Sequence, residues 1–355
     1  MKILHLSPIN TAGVPLTFVK AERALGHVSR LVTFIRNPRH FGEDICLDLP
    51  FLDFWGTRLA KKLFSPSQRL NVQFQSKIPD KIPPIWVPNF CERALISFRE
   101  KLWRHTIESA IKTYDLLNFD AYQLDGGLGF YRDGRIIQKL KNAGKKIICC
   151  YTGSDLRVRG VIPAIDRLSD LNVSVEFDHQ FLHPNLHHVP FPIEPDRYGA
   201  IQKSAGDKLK ISHAPTNRIA KGSHIIIPVV RELEKKYPVE LVLIENLPYQ
   251  RALEIKAQSQ IFIDQIGDLG YGISSLEALA MGIATCSCLA PGFEKAYPDH
   301  PFIVIDERNI KEKLVELIED GTYRDQKAEE GRRWVRQAHD SLKVVQRIHQ
   351  LAGIE

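Results

Sequence analysis

The sequence predicts an α/β protein built as two Rossmann-like, doubly wound parallel-sheet domains facing a central cleft, with helices at the C-terminal end. Three observations carry this expectation. Short apolar runs alternate with helical stretches through both halves of the chain, the pattern of parallel strands joined by crossover helices. The alternation is interrupted by three prolines, Pro190, Pro192 and Pro195, which stiffen the chain and prevent a regular helix or central strand. At 355 residues the chain also exceeds one ordinary domain.

The first half opens with a strand over 2–7, a loop containing Gly13, a helix over about 15–25 and a second strand over 28–35, introduced by Gly26-His27. This is one βαβ unit. Further strands are expected at 121–124, 145–151, 171–175 and 188–189, with a helix over 134–142. Between Asn37 and Lys101 the rhythm breaks, because Pro50, Pro66, Pro79, Pro83, Pro84 and Pro88 interrupt any long element, and the stretch reads as an insertion. The second half repeats the alternation: strands at 209–212, 239–244, 260–264 and 283–286, and helices at 223–236, 249–257 and 272–281. After a strand at 303–305 the chain becomes helical and charged. The expected domains are 1–190 with an insertion over about 37–108, a linker over 191–198, a second domain over 199–335 and a C-terminal helix over 336–355.

No run approaches the roughly 18 uncharged apolar residues that span a bilayer, and the opening residues lack the apolar core of a signal peptide. A cytoplasmic protein is expected. Six scattered cysteines, without a CxxC pair, argue against a disulfide scaffold or a structural zinc site and read as reduced, mostly buried thiols. The net charge of +6 fits an anionic ligand, an anionic membrane face or nucleic acid, and by itself does not choose among them.

In open α/β sheets ligands sit beyond the carboxyl ends of the strands, so the strand-to-helix loops are the informative positions. The loop 212–223 places Asn217, Arg218 and Lys221 just before a helix whose N-terminus could itself receive an anion. Taken alone it also fits two ordinary solvated cations. The loop 264–282 carries Gln265, glycines at 267, 270 and 272, Ser274 and Ser275 at a helix start, and Glu277 one turn further in. Its glycines allow backbone to approach a ligand, the helix-start amides suit phosphate, and a carboxylate at 277 could grip a ribose diol or merely complement the helix dipole. The segment Gly153-Ser154-Asp155-Leu156-Arg157 follows a first-half strand and presents Asp155 to an acceptor or closes a plain Asx turn.

Together these segments, with the Ala12-Gly13-Val14-Pro15 loop, resemble the retaining GT-B glycosyltransferases of glycosyltransferase family 4, over nearly the whole chain except about 37–108. The resemblance implies a hexosyltransferase-type enzyme that moves a sugar from a nucleotide-sugar donor, with a UDP-sugar the default, to an acceptor on the first domain. It implies that Gly13 faces the donor phosphates and that Arg218 and Lys221 stabilise the leaving diphosphate. Ser274 and its neighbouring amides would form the phosphate-binding turn and Glu277 would hold the ribose. No metal or other cofactor is then required, because the cations neutralise the charge that develops on the diphosphate. With the donor set go Asn217, Gln265, Gly272 and Ser275, and with the catalytic set Asp155. Two positions depart from the family pattern: Leu269 stands where the first of two motif glutamates is usual, and Thr152 where a histidine usually precedes Gly-Ser-Asp. Either Asp268 or Asp264-Gln265 takes over from the missing glutamate, or the sugar is held differently. A nucleotide-sugar 2-epimerase on the same scaffold, or a non-catalytic nucleotide-sugar-binding protein, are the rival readings.

His179, His183, His187 and His188 invite a metal site, but there is no glutamate in HExxH register and Pro184 ends any helix, so solvated or strand-end histidines are expected. Arg58, Lys61, Lys62, Leu63, Phe64 and Arg69, and later Lys101, Leu102, Trp103 and Arg104, form basic-aromatic stretches. They read as solvated helix faces with a buried stripe, or as contacts to a lipid-linked acceptor or to the inner membrane face. No nucleic-acid module accompanies them. The acceptor, whether glycan, lipid-linked or a small molecule, is left open.

Overall fold

The computed structural model describes residues 1–51, 82–153, 155–199, 208–267 and 270–354. It divides into two units, one formed by Met1–Pro192 with Ser341–Glu355 and the other by Ile193–Asp340. Each unit is a parallel α/β sheet covered by helices, as the alternating pattern requires.

Unit 1 holds seven strands: β1 (Lys2–Ser7), β2 (Val28–Thr33), β3 (Ile45–Cys46), β4 (Ala121–Asp125), β5 (Lys146–Tyr151), β6 (Leu171–Ser174) and β7 (Leu186–His188). Their order, β3-β2-β1-β4-β5-β6-β7, is all parallel and reverses between β1 and β4. Crossovers are made by α1 (Val14–Ala24), α2 (Phe90–Thr113) and α3 (Arg135–Asn142), among others. Because both sheet faces are covered, β4 is buried along its whole length, and the strands read as continuous apolar runs rather than alternating ones. On one face Leu4, Leu6, Tyr122, Leu124 and Ile147 form a core with Trp103 and Ile107 of α2.

The helix α2 corrects the expectation that prolines break every long element up to Lys101. The last of them, Pro88, directly precedes Asn89, whose side chain accepts from Glu92 N at 2.8 Å and caps 24 uninterrupted helical residues. Of the basic-aromatic residues noted in the sequence, Trp103 is buried and donates its indole N–H to Pro50 O at 2.8 Å, while Leu102 is exposed. Arg58, Lys61, Lys62, Leu63, Phe64 and Arg69 lie outside the described residues.

Unit 2 holds β8 (Leu209–His213), β9 (Val239–Leu243), β10 (Ile261–Ile263), β11 (Ala284–Ser287) and β12 (Ile303–Val304), in the order β12-β11-β10-β8-β9. All pairs are parallel, and the order reverses between β8 and β10. The helices α4 (Ser223–Leu233), α5 (Tyr249–Lys256), α6 (Ile273–Ala280), α7 (Ile310–Glu319) and α8 (Gly321–Ala338) cover the sheet. Its core includes Ile211, Ile226, Ile261, Ile263, Cys286 and Leu314.

The last helix, α9 (Ser341–Ala352), alters the expected domain organisation. Instead of a separate tail from 336, α8 continues to Ala338, and α9 belongs to unit 1, where Val344, Val345 and Ile348 are buried. Its His349 reaches Glu22 of α1 at 3.4 Å, and Glu22 also accepts from His5 Nε2 at 2.8 Å and from Ser29 Oγ at 2.5 Å. Burial pushes the Glu22 carboxyl up, but His5, His349 and Ser29 outweigh it and hold the group down at about 2. The expected linker is part of unit 2 from Ile193 onward, while residues 191 and 192 belong to unit 1: Pro195–Tyr198 forms a short 3-10 turn, and Ile193 N donates to His339 O at 2.9 Å.

Candidate active site

In both units the sheet order reverses once, and the carboxyl ends of the two strands at that reversal are the usual ligand position of such folds. In unit 2 the loops at those ends follow β8 and β10. They are the two segments singled out in the sequence.

The loops touch backbone to backbone. A Cβ on Gly267 would lie 2.5 Å from Ala220 O, and one on Gly222 3.2 Å from Gly267 N. Gly222 also sits at φ +69°, a left-handed conformation in which it starts α4. Behind the loops, His213 joins β8, β10 and α4: its Nδ1 lies 2.8 Å from Ile263 O and its Nε2 2.8 Å from Ser223 Oγ. A carbonyl only accepts, so Nδ1 carries the proton, and Nε2 accepts from the serine. Burial lowers the pKa of this histidine and keeps it neutral.

At the mouth, Lys221 Nζ donates to Asp264 Oδ1 at 2.9 Å and to Gln265 Oε1 at 3.2 Å. The other Asp264 oxygen accepts from Gly272 N at 3.1 Å and from Ser275 Oγ at 2.7 Å, so one buried carboxylate ties Lys221 to the first turn of α6. Burial pushes Asp264 up, but the Lys221 ammonium, the Ser275 hydroxyl and the Gly272 N–H outweigh it and hold the carboxyl below its ordinary value. Lys221, Gln265, Gly272 and Ser275 are thus brought together.

Ser274 and Glu277 face a different set of partners. Lys256 of α5 donates to Ser274 Oγ at 2.8 Å and to Glu277 Oε2 at 2.5 Å, while Tyr249 OH donates to Glu277 Oε1 at 2.7 Å. Tyr198 OH lies 3.1 Å from Tyr249 OH. Each carboxylate oxygen of Glu277 therefore already accepts one hydrogen bond, and a ribose diol would share the carboxylate with Tyr249 and Lys256. Sequence reasoning passed over Lys256, Tyr249 and Tyr198. The available signal was Lys256 itself, a cation next to Ala257 and three residues from Leu253 on the apolar side of a short helix, which requires an anionic partner once buried.

Asn217 Oδ1 accepts from Ile219 N and Ala220 N at 3.0 and 3.1 Å and shapes the loop. Arg218 is exposed and forks onto Glu245 at 2.8 and 2.6 Å, beside a cavity of about 360 Å³ lined also by Ile219, Ser223 and His224. Asp268 and Leu269, where a motif glutamate was sought, lie outside the described residues.

In unit 1 the reversal lies between β1 and β4. Gly13, at φ +76°, precedes α1 in the loop after β1. Asp125 ends β4 and is buried; burial pushes its carboxyl up to about 6 despite nearby His5, Gln123 and Ser7. It was missed because it follows an apolar strand as a single acid, which looks like a turn residue. After β5, Asp155 accepts from Thr152 N at 2.8 Å and from its own Leu156 N at 2.7 Å, so its carboxylate closes the loop. Ser154 lies outside the described residues. Arg157 forks onto Asp178, with Nε at 2.8 Å and Nη2 at 2.5 Å, and Nη2 also donates to Glu176 at 2.8 Å.

The histidine cluster departs from the solvated or strand-end reading at two positions. His179 and His183 are buried; His179 Nδ1 meets Ser174 Oγ at 2.7 Å, and His183 Nε2 meets Asp166 Oδ1 at 3.1 Å. Burial and the Arg157 charge lower His179 to about 3. Of the thiols, Cys149, Cys150 and Cys286 are buried, Cys46 and Cys288 half-buried and Cys91 exposed, all free. Among the described residues no helix is long and apolar enough to cross a membrane.

No protein-family model matches this sequence, and no curated protein matches it. Solved structures do match its fold. HepE of Anabaena in complex with UDP superposes with a TM-score of 0.58 at 11% identity, covering 99% of this chain and 100% of that one. Sucrose-phosphate synthase of Thermosynechococcus elongatus superposes at 0.58 with 10% identity, covering 99% and 98%. A putative UDP-N-acetylglucosamine 2-epimerase of Listeria monocytogenes superposes at 0.56 with 13% identity, covering 98% and 94%. The fold is that of the GT-B glycosyltransferases, two Rossmann-like parallel-sheet domains, and the epimerase shares it.

Proposed function

We propose that this chain is a glycosyltransferase that takes a sugar from a nucleoside-diphosphate sugar, a UDP-sugar first, and passes it to an acceptor bound on unit 1. The observation that supports this reading most directly is the joining of Lys221 to the first turn of α6 through Asp264, at the sheet reversal of unit 2. There a diphosphate would meet an ammonium and the positive end of a helix in one place. HepE, whose fold is similar, is in complex with UDP.

Lys221, held in place before the donor arrives, would neutralise the charge that grows on the diphosphate as the glycosidic bond breaks. Arg218 would turn from its exposed pair with Glu245 to the same phosphates. Metal independence follows from this reading, since two cations then serve where a divalent ion otherwise would. Retention would proceed through an oxocarbenium-like state, with the departing diphosphate helping to deprotonate the acceptor on the same face. Glu277 would contribute to the ribose pocket as the base of the Lys256–Tyr249–Tyr198 chain, and Asp155 would hold the unit 1 loop that the acceptor approaches.

The test is calorimetry with UDP, GDP, ADP and their sugar conjugates in EDTA, on the wild type, Lys221→Ala and Glu277→Ala. Base-selective binding that survives EDTA and fails in Lys221→Ala is expected; absence of binding by every nucleotide refutes the transferase reading. NMR of UDP-N-acetylglucosamine incubated with the protein distinguishes the rival on this scaffold, since an epimerase inverts C2 without any acceptor.

A further inference from the structure

Unit 1 contains a cavity of about 490 Å³ that none of the preceding site residues lines. One wall is the face of α2 that carries Arg93, Lys101 and Arg104, and another is the loop between β4 and α3 with Arg132, together with Arg135 at the start of α3. Trp86 forms a third. Its strand-like segment is clamped to the loop after β5, with Trp86 N donating to Val161 O at 2.9 Å and Val161 N to Pro84 O at 2.8 Å. The cavity therefore borders loops that leave the carboxyl ends of β4 and β5, where an acceptor in such a domain is expected.

Its charge is one-sided. Five cations line it against two carboxylates, Glu100 and Asp133. Asp133 already pairs with Arg135 at 3.1 Å, and Glu100 accepts from the backbone N of Arg132 at 2.9 Å. Arg104 pairs outward with Glu108 at 2.8 Å. Arg93, Lys101 and the Arg132 guanidinium have no ion-pair partner among the described residues. The Arg132 guanidinium lies 4.7 Å above the Trp86 ring, which fixes its plane and leaves its N–H edge for hydrogen bonding. Burial lowers the pKa of Arg132 to about 10, with the nearby Arg99 and Arg159 charges pushing the same way and Glu100 and Glu92 opposing them. A half-buried guanidinium with no ion-pair partner costs stability until an anion arrives.

A ring-stacked arginine with two further unpaired cations suits a tetrahedral, multiply charged oxyanion better than a single carboxylate, because the fork and the ammonium can each take a different oxygen. The volume lies in the range of small-molecule pockets and leaves room for a sugar- or glycerol-sized body beyond the anion. We propose that this cavity is the acceptor's anion subsite and that the acceptor carries a phosphate monoester, held by Arg132, Arg93 and Lys101. The inference rests on the glycosyltransferase reading for the word acceptor, and on unit 1 alone for the site.

The phosphate could be soluble or borne on a lipid, and the experiment separates the two. Glycerol 3-phosphate is titrated calorimetrically into the full chain and, in parallel, sedimentation with phosphatidylcholine vesicles is compared with and without phosphatidate. The proteins are Lys221→Ala, which removes a competing diphosphate site, and the same chain with Arg132→Gln or with Arg93→Ser and Lys101→Ser together. Binding of glycerol 3-phosphate that weakens at least tenfold in both pocket variants is expected for a soluble acceptor; phosphatidate-dependent sedimentation with the same loss is expected for a lipid-borne one. Equal binding in pocket variants and parent, or no binding of either probe, overturns the proposal. The double variant changes only exposed side chains of α2, so its result stands even if Arg132→Gln disturbs folding. UDP binding by the wild type is measured separately. A protein that binds phosphate in this pocket but no nucleotide would retain the subsite and lose the transferase reading.

Discussion

Asp264 is the most informative residue to perturb, because it is the single group that connects Lys221 to α6. Its side chain is 1% exposed and that of Lys221 16%, so water screens the 2.9 Å pair poorly. Asp264→Asn keeps the shape but turns an amide toward the ammonium; removing one partner of a buried pair costs about 3 kcal/mol or more. Lys221→Met leaves the carboxylate with only the Gly272 N–H and the Ser275 hydroxyl, and a loss of about 2 kcal/mol follows, since part of the charge remains hydrogen-bonded. In the double variant neither an unpaired cation nor an unpaired anion is left, so the combined loss falls short of the sum by about 2 kcal/mol. Native-state amide exchange on β8 and β10 measures each value within unit 2 and avoids treating a two-unit chain as one transition. Saturating UDP, at about 100 times its Kd, adds about 2.7 kcal/mol to the same amides in the wild type and little in Lys221→Met. Additive losses in the double variant would refute the coupling, and an equal UDP gain in Lys221→Met would refute the role of the ammonium.

Two further outcomes are expected. Asp125 has a folded-state pKa of about 6, above the ordinary carboxyl value of 3.8, so the folded chain binds the extra proton between those values and stability falls as pH rises through that window. Asp125→Asn therefore gains up to about 3 kcal/mol above pH 6 and nothing below about pH 4, read from urea midpoints at the two pH values; an equal effect at both would show that ionisation is not the cause. Gly267→Ala drives a methyl group to 2.5 Å from Ala220 O, and the resulting separation of the two unit 2 loops costs about 2 kcal/mol and weakens UDP binding; undiminished affinity in a folded variant would disconnect the loop contact from the site.

The doubly wound order of both sheets and the loops that matter were legible because parallel strands buried on both faces leave long apolar runs, and because glycines at 222, 267 and 272 stand out against them. The helix α2 was hidden by the prolines before it, although Asn89 followed by Glu92 is an N-terminal signature that ends the proline-rich stretch. The place of the tail in unit 1 was not legible for a different reason. The amphipathic pattern of α9 states that one face must be buried but not against which sheet, and the partner, α1, lies more than three hundred residues earlier in the chain.

What the sequence by itself determined is therefore local and periodic: where strands and helices fall, which loops end at the carboxyl edge, and which of them carry Lys221, Ser275 and Glu277. Only the tertiary structure decided how those side chains are employed. Lys221 meets Asp264 across 43 residues, Lys256 meets Glu277 across 21, and Arg132 reaches the Trp86 ring from another segment. A charge in a sequence has a sign but no partner. Pairing depends on which strand ends the sheet order brings side by side, and that order follows from burying both units' apolar faces at once.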